Sequence, residues 1–304
     1  MRDAELRPWF CGTGAGRMRH AKSAGCRADF NQRRARHSDG RKVHTSIPAD
    51  WPTMAVWIGR GQHSLCTGLH GDDGLCLGKA KNRPQSSVIV DENILVIHGT
   101  NPAFVPCGSK PLAAVFDADE TLIWNVGAMR YMAEQGKVFD PAIWNEWEKS
   151  GAGKAVAMPG ATVALKTMRD AGVTIIANTN RTAANAKATE DALRAAGLGE
   201  FKHGETLYLM GDDAMGSDKD GRRATIAAKY CVIALAGDQL GDFRQMFNGK
   251  RLTVRSRTAF ANSSFFENLW GNGWFLFSNP VYGPSIRGGY DEIYTPETKW
   301  EPGQ

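Results

Sequence analysis

The sequence predicts an α/β protein, a three-layer α/β/α doubly wound parallel sheet with a small helical cap inserted. Three observations predict it. The runs 113–116, 173–177 and 231–236 are apolar without polar alternation, as strands buried on both faces are. Stretches of helical spacing separate them, which argues for parallel pairing through right-handed crossovers. Each run ends in residues able to do chemistry, at the strand ends where open sheets of this class gather ligands.

Taken in order, residues 1–78 lack sustained periodicity and mix arginines, histidines, glycines and isolated tryptophans. This stretch is expected to be disordered or a non-native basic extension, with residues 79–304 forming the folded domain. Through Arg60 there are twelve basic residues against five acidic ones, so the net charge of +5 belongs to this segment and the remainder is slightly acidic. A basic total is then no argument for a nucleic-acid polymer as substrate. Six cysteines without Cys-x-x-Cys spacing imply neither a zinc site nor a disulfide framework, and Cys231 is expected to be a buried thiol. Neither a membrane span nor a signal peptide is recognisable.

Strand-like runs at 88–90 and 94–97 precede the first core strand. After that strand, residues at about 122–158 read as the cap: a helix over 122–134, then a second with Pro141 in its first turn. Trp124, Trp144 and, near the end of the chain, Tyr282 are candidates to stack a flat substrate, though helical aromatics also serve packing. Pro159-Gly160 opens a helix through Ala171 with Gly172 as its C-cap, and a strand over 173–178 leads to Thr179-Asn180-Arg181. A helix over 182–196, a strand over 206–210, a loop at 216–220, a helix over 221–229 and the strand 231–236 follow.

Strand ends and adjoining loops thus present Asp117-x-Asp119-x-Thr121, Thr179-Asn180-Arg181, Lys219, and Gly237-Asp238 followed by Asp242. Singly, Lys219 reads as a surface lysine, Thr179 as a helix cap and Asp242 as a surface carboxylate. In this order they fit phosphoryl transfer through an aspartyl phosphate. A carboxylate attacking a dianionic ester needs positive charge beside it, which Mg²⁺ on Asp117 and Asp238 and the ammonium of Lys219 would supply. Thr179, Asn180 and Arg181 would bind the phosphoryl oxygens. Asp119 would protonate the departing oxygen and then activate water.

These residues resemble the haloacid dehalogenase superfamily of phosphotransferases, and within it the bacterial class C (subfamily IIIB) acid phosphatases, related to lipoprotein 5'-nucleotidases. The stretch 115–122 is similar to the first motif, Thr179-Asn180-Arg181 to the second, Lys219 to the third and 237–243 to the fourth. Ala157-Met158-Pro159-Gly160 and Asn279-Pro280-Val281-Tyr282-Gly283 agree as well. The resemblance implies a haloacid dehalogenase-like core with a cap, Mg²⁺ dependence, and hydrolysis of phosphomonoesters such as nucleoside monophosphates at mildly acid pH. It implies a metal held by Asp117, the carbonyl of Asp119 and Asp238, with Asp242 close by. It also suggests export and a homodimer. Alternatives are a phosphotransferase or another phosphate-ester hydrolase with the same residues, or a receiver-like phosphorylation switch. Asp119 and the cap argue against a switch, which needs neither an acid/base nor a substrate enclosure.

Overall fold

The computed structural model describes residues 85–89, 104–137, 139–279, 281–284, 288–289, 300 and 302. The expectations for residues 1–78 and for the run at 94–97 lie outside the described residues.

Strands β1 (Gln85–Ile89) and β2 (Phe104–Pro106) pair antiparallel ahead of the first core strand, β3 (Leu112–Phe116). After β3 the chain reverses, and β4 (Ile123–Trp124) pairs antiparallel with β5 (Val156–Ala157) across the base of the cap. The cap helix expected from residue 122 therefore starts later, as α1 (Val126–Glu134). The reason is that the amides of Leu122 and Ile123 both turn back to the Ala118 carbonyl, at 2.8 and 2.9 Å. Helix α2 (Pro141–Ser150) begins as expected. Pro141 occupies a position whose N–H would be unpaired anyway, and Asp140 accepts from the amides of Ala142 and Ile143.

Next come α3 (Ala161–Asp170), β6 (Thr174–Thr182), α4 (Ala186–Ala195), β7 (Leu207–Met210), α5 (Asp220–Lys229) and β8 (Cys231–Gly237). Helices α3 and α4 end in the same way. Gly172 and Gly197 take positive φ of 81° and 76°. The amides of Val173 and Leu198 then reach back to Met168 and Leu193, closing each helix so that the chain can turn toward the sheet. Strand β6 runs past its expected end and carries Thr179-Asn180-Arg181 within it, and the helix expected from residue 182 opens with a 3-10 turn over Ala183–Asn185. Beyond the sequence expectations stand α6 (Val254–Ala261) and an edge strand, β9 (Trp274–Leu276).

The main sheet has the order β7-β6-β3-β8-β9 with all its pairings parallel. Alternate residues serve opposite faces. Ala114, Phe116, Ile175 and Ala177 pack with α3 and α4, while Ala113, Val115 and Ile176 pack with Ile226 and Ala227 of α5. Strand β8 obeys the same rule only because it bulges. Ala113 pairs with Val232 but Ala114 with Ala234, so the extra residue Ile233 shifts the phase, and Val232 and Leu235 reach one face while Ile233 and Ala236 reach the other. The second face is completed by Phe243, Phe247, Phe266 and the fully buried Trp274, whose indole donates to the Ser87 carbonyl at 2.9 Å. No described helix is long and apolar enough to cross a membrane.

One sequence expectation is corrected. Cys231 is not a free thiol but is disulfide-bonded to Cys107, with the Cα atoms 4.6 Å apart. A chain separation of 124 residues gives no hint of proximity, yet parallel pairing sets the start of β8 beside the segment entering β3, where the Cys231 amide donates to Pro111. Alkylation in denaturant should therefore modify these two cysteines only after reduction. The Cys107→Ala/Cys231→Ala variant should lose about 2–4 kcal/mol in a denaturant titration, and unchanged stability would show the cross-link to be dispensable.

Candidate active site

The carboxyl ends of β3, β6 and β8 and the first turn of α5 meet in a cleft of about 1180 Å³. The loop after β3 is set by Glu120, whose φ of 57° makes it the one non-glycine at positive φ among the described residues. Such a conformation is held only where the surroundings over-determine it. Here the Glu120 amide donates to Ile123, and its buried carboxylate accepts from the amide and side chain of Asn125 and from the Tyr282 hydroxyl.

The reversal sends two neighbouring aspartates to different partners. Asp117 receives the Lys219 ammonium, which also donates to Asp242 at 2.7 Å. Asp119 turns the other way. Its Oδ1 accepts from Nε and Nη2 of Arg181 at 2.9 and 2.7 Å and from Asn125 at 2.9 Å, while its Oδ2 has one longer contact, 3.1 Å, with Arg181. Arg181 is thus directed at Asp119 and is not among the residues lining the cleft. Thr179 does line it. Its oxygen accepts from the Arg181 amide at 3.1 Å, which leaves the hydroxyl hydrogen free to donate. Asn180 also faces the cleft, but its side chain is engaged by Arg222 and by the Ser217 carbonyl.

At the end of β8, Asp238 accepts from Asn279 at 2.6 Å and from Gln239 at 3.1 Å. Asp242 folds back so that its Oδ2 accepts from the Gln239 amide at 2.8 Å. Gly237 permits this, since a Cβ there would lie 2.3 Å from the Asp242 side chain. Oxygens of Asp117, Asp238 and Asp242 come within 4.8 Å of one another.

Such crowding has an electrostatic consequence. Burial, reinforced by Asp242 and Asp238, outweighs Lys219 and raises the Asp117 pKa well above the carboxylate range. Burial and Asp242 push Asp238 up to about 7. Burial alone would lower Lys219, but Asp117 and Asp242 outweigh it and hold the ammonium charged. One ammonium cannot neutralise three carboxylates, so this all-oxygen donor set fits a hard divalent cation. The side chain of Asp119 stands apart from that set, on Arg181.

Part of the cleft wall is aromatic. Phe139, Trp144 and Tyr282 form a ring cluster with centroids 5.7 to 6.1 Å apart. Trp144 and Tyr282 are therefore brought together as candidates, whereas Trp124 lies in β4 and does not line the cleft. Sequence reasoning missed Phe139, Glu120 and Asn125. Glu120 is an unassigned position inside the aspartate motif and Asn125 follows it, with no periodicity to mark either, and Phe139 precedes the helix whose start was recognised. The cap is tied to the core beside this wall. The Trp147 indole donates to Asn125, and Glu148 accepts from the Thr182 amide and the Asn185 side chain.

A family model described as HAD superfamily, subfamily IIIB (acid phosphatase) matches residues 85–285. Among solved structures, the class C acid phosphatase from Bacillus anthracis is similar, with 29% identity over 57% of this chain and 69% of that one, and a TM-score of 0.50. Its tungstate-bound structure is similar over 63% of this chain and 73% of that one, with 27% identity and a TM-score of 0.50.

Glu148 carries a pH prediction. Burial raises its pKa above the ordinary 4.5, as does Asp119, while Asn185, Thr182 and Arg181 oppose the shift. The folded state therefore binds this proton more tightly than the unfolded chain, so the associated stability is full below pH 4.5 and is lost as pH rises through the folded value. In thermal unfolding without divalent ions, Glu148→Gln should flatten the decline above that pH, and a curve parallel to the wild type's would exclude Glu148 as a cause.

Proposed function

The chain belongs to the HAD superfamily, subfamily IIIB (acid phosphatase), and is a phosphomonoester hydrolase; we propose that it is Mg²⁺-dependent, works through an acyl phosphate on Asp117, and takes nucleoside monophosphates. The observation that carries the reading is one cleft lined both by a carboxylate and ammonium cluster and by three aromatic rings. That pairing suits a phosphate joined through a short polar spacer to a flat base.

Asp117, Asp238 and Asp242, with the carbonyl of Asp119, would hold the cation, which when bound offsets the negative charge of ester and nucleophile. An Asp117 oxygen attacks phosphorus while the bond from phosphorus to the ester oxygen breaks. Lys219 and the Thr179 hydroxyl donate to the phosphoryl oxygens. The departing oxygen takes its proton from Asp119, whose Oδ2 is the atom less committed to Arg181 and Asn125. Water then attacks the phosphorus, gives a proton back to Asp119, and releases inorganic phosphate with Asp117 restored. Arg181 and Asn180 act here by orientation, Arg181 aiming Asp119 and Asn180 holding its loop.

Phosphate release should require Mg²⁺ over about pH 5 to 8 and fall at least about 10³-fold in Asp117→Asn and Asp119→Asn. Tyr282→Ala should raise KM about tenfold for a nucleoside monophosphate and far less for glycerol phosphate, because a base stacked on an aromatic ring contributes about 1–3 kcal/mol. Normal turnover by Asp117→Asn would sink the mechanism. An equal KM change for both esters would sink the base-stacking assignment.

A further inference from the structure

The N-terminal end of α5, with the residue that caps it, carries three cations on one face. Lys219, Arg222 and Arg223 stand at i, i+3 and i+4. Lys219 lies between Asp117 and Asp242, but the two arginines behind it, 1% and 2% exposed, have no part in the chemistry described above.

Their partners divide cleanly. Arg222 donates from Nη1 to the Thr179 carbonyl, and from Nη2 to Asn180 Oδ1 at 2.7 Å and the Asp218 carbonyl at 3.3 Å. Arg223 donates from Nη1 to the carbonyls of Asp242 and Gly241, at 2.7 and 3.1 Å. Its Nη2 pairs with Asp220, whose carboxylate accepts in turn from the Gln245 amide. Arg222 thus grips the strand segment that presents the Thr179 hydroxyl, and Arg223 grips the loop that presents the Asp242 carboxylate. Burying a guanidinium costs free energy unless its donors are met, and apolar side chains would fill the same space without that cost. What the arginines add is a planar fork that fixes two carbonyls at a set distance from one helix.

We propose that Arg222 and Arg223 are positioning residues with separate charges to keep, Arg222 aligning the phosphoryl-binding Thr179 and Arg223 aligning the cation-binding Asp242. This rests on the function proposed above. One rigid helix turn then sets the spacing between the phosphate subsite and the cation subsite, with Lys219 between them.

Binding measured without turnover tests the division. In the full-length protein, calorimetry would follow Mg²⁺ alone and inorganic phosphate at saturating Mg²⁺. Arg222→Met should weaken phosphate about tenfold or more and leave Mg²⁺ within about twofold, while Arg223→Met should weaken Mg²⁺ about tenfold or more. Arg222→Lys and Arg223→Lys should recover part of each loss, and they carry the test if a methionine variant does not fold. Equal weakening of both ions by both variants, or no change in either, would overturn the inference while leaving the function intact. A wild-type protein that binds neither ion would overturn both.

Discussion

Everything at the site depends on holding three carboxylates against one ammonium in a place from which water is mostly excluded. Asp242 raises the cost of charging both Asp117 and Asp238, Asp238 raises it for Asp117, and Lys219 reduces that cost without removing it. Left alone, such a cluster opposes folding. Its persistence needs donors fixed by the fold, and they come from separated parts of the chain: Asn279 and Gln239 on Asp238, the Gln239 amide on Asp242, and α5 through Lys219. The same imbalance is what makes this donor set fit a hard cation.

The core of this arrangement was legible in the sequence. The apolar runs 113–116 and 231–236 marked strands β3 and β8, and the order of the polar residues at their ends pointed to one site. Asp117, Lys219, Asp238 and Asp242 do meet. Pro141 and Gly172 marked helix ends correctly because capping is a local property that the sequence encodes directly.

What escaped was whatever depends on sequence-distant contact. Cys107 and Cys231 look unrelated until parallel pairing aligns the starts of two segments. Strand β9 has only three residues and gains its place by docking Trp274 among aromatics that carry no strand pattern. Arg181 is expected beside the phosphate from its place in the Thr179-Asn180-Arg181 run, and its side chain is found on Asp119, outside the cleft lining. Arg222 and Arg223 resemble ordinary helix-surface charges, and only the position of α5 beneath two loops buries them.

The two aspartates of the first motif show how function is divided by a single turn of chain. Asp117 belongs to the cation side, with Lys219. Asp119 belongs to the cap side, held by Arg181 and by Asn125, and Asn125 also binds Glu120 and the Trp147 indole. Glu120 in turn holds Tyr282, one of the rings that line the cleft. Under the proposed mechanism, the acid is oriented by the residues that shape the aromatic part of the pocket. Asp117 and Asp119 sit two positions apart but answer to different partners, and the left-handed residue that follows them, Glu120, turns the chain back toward the cap.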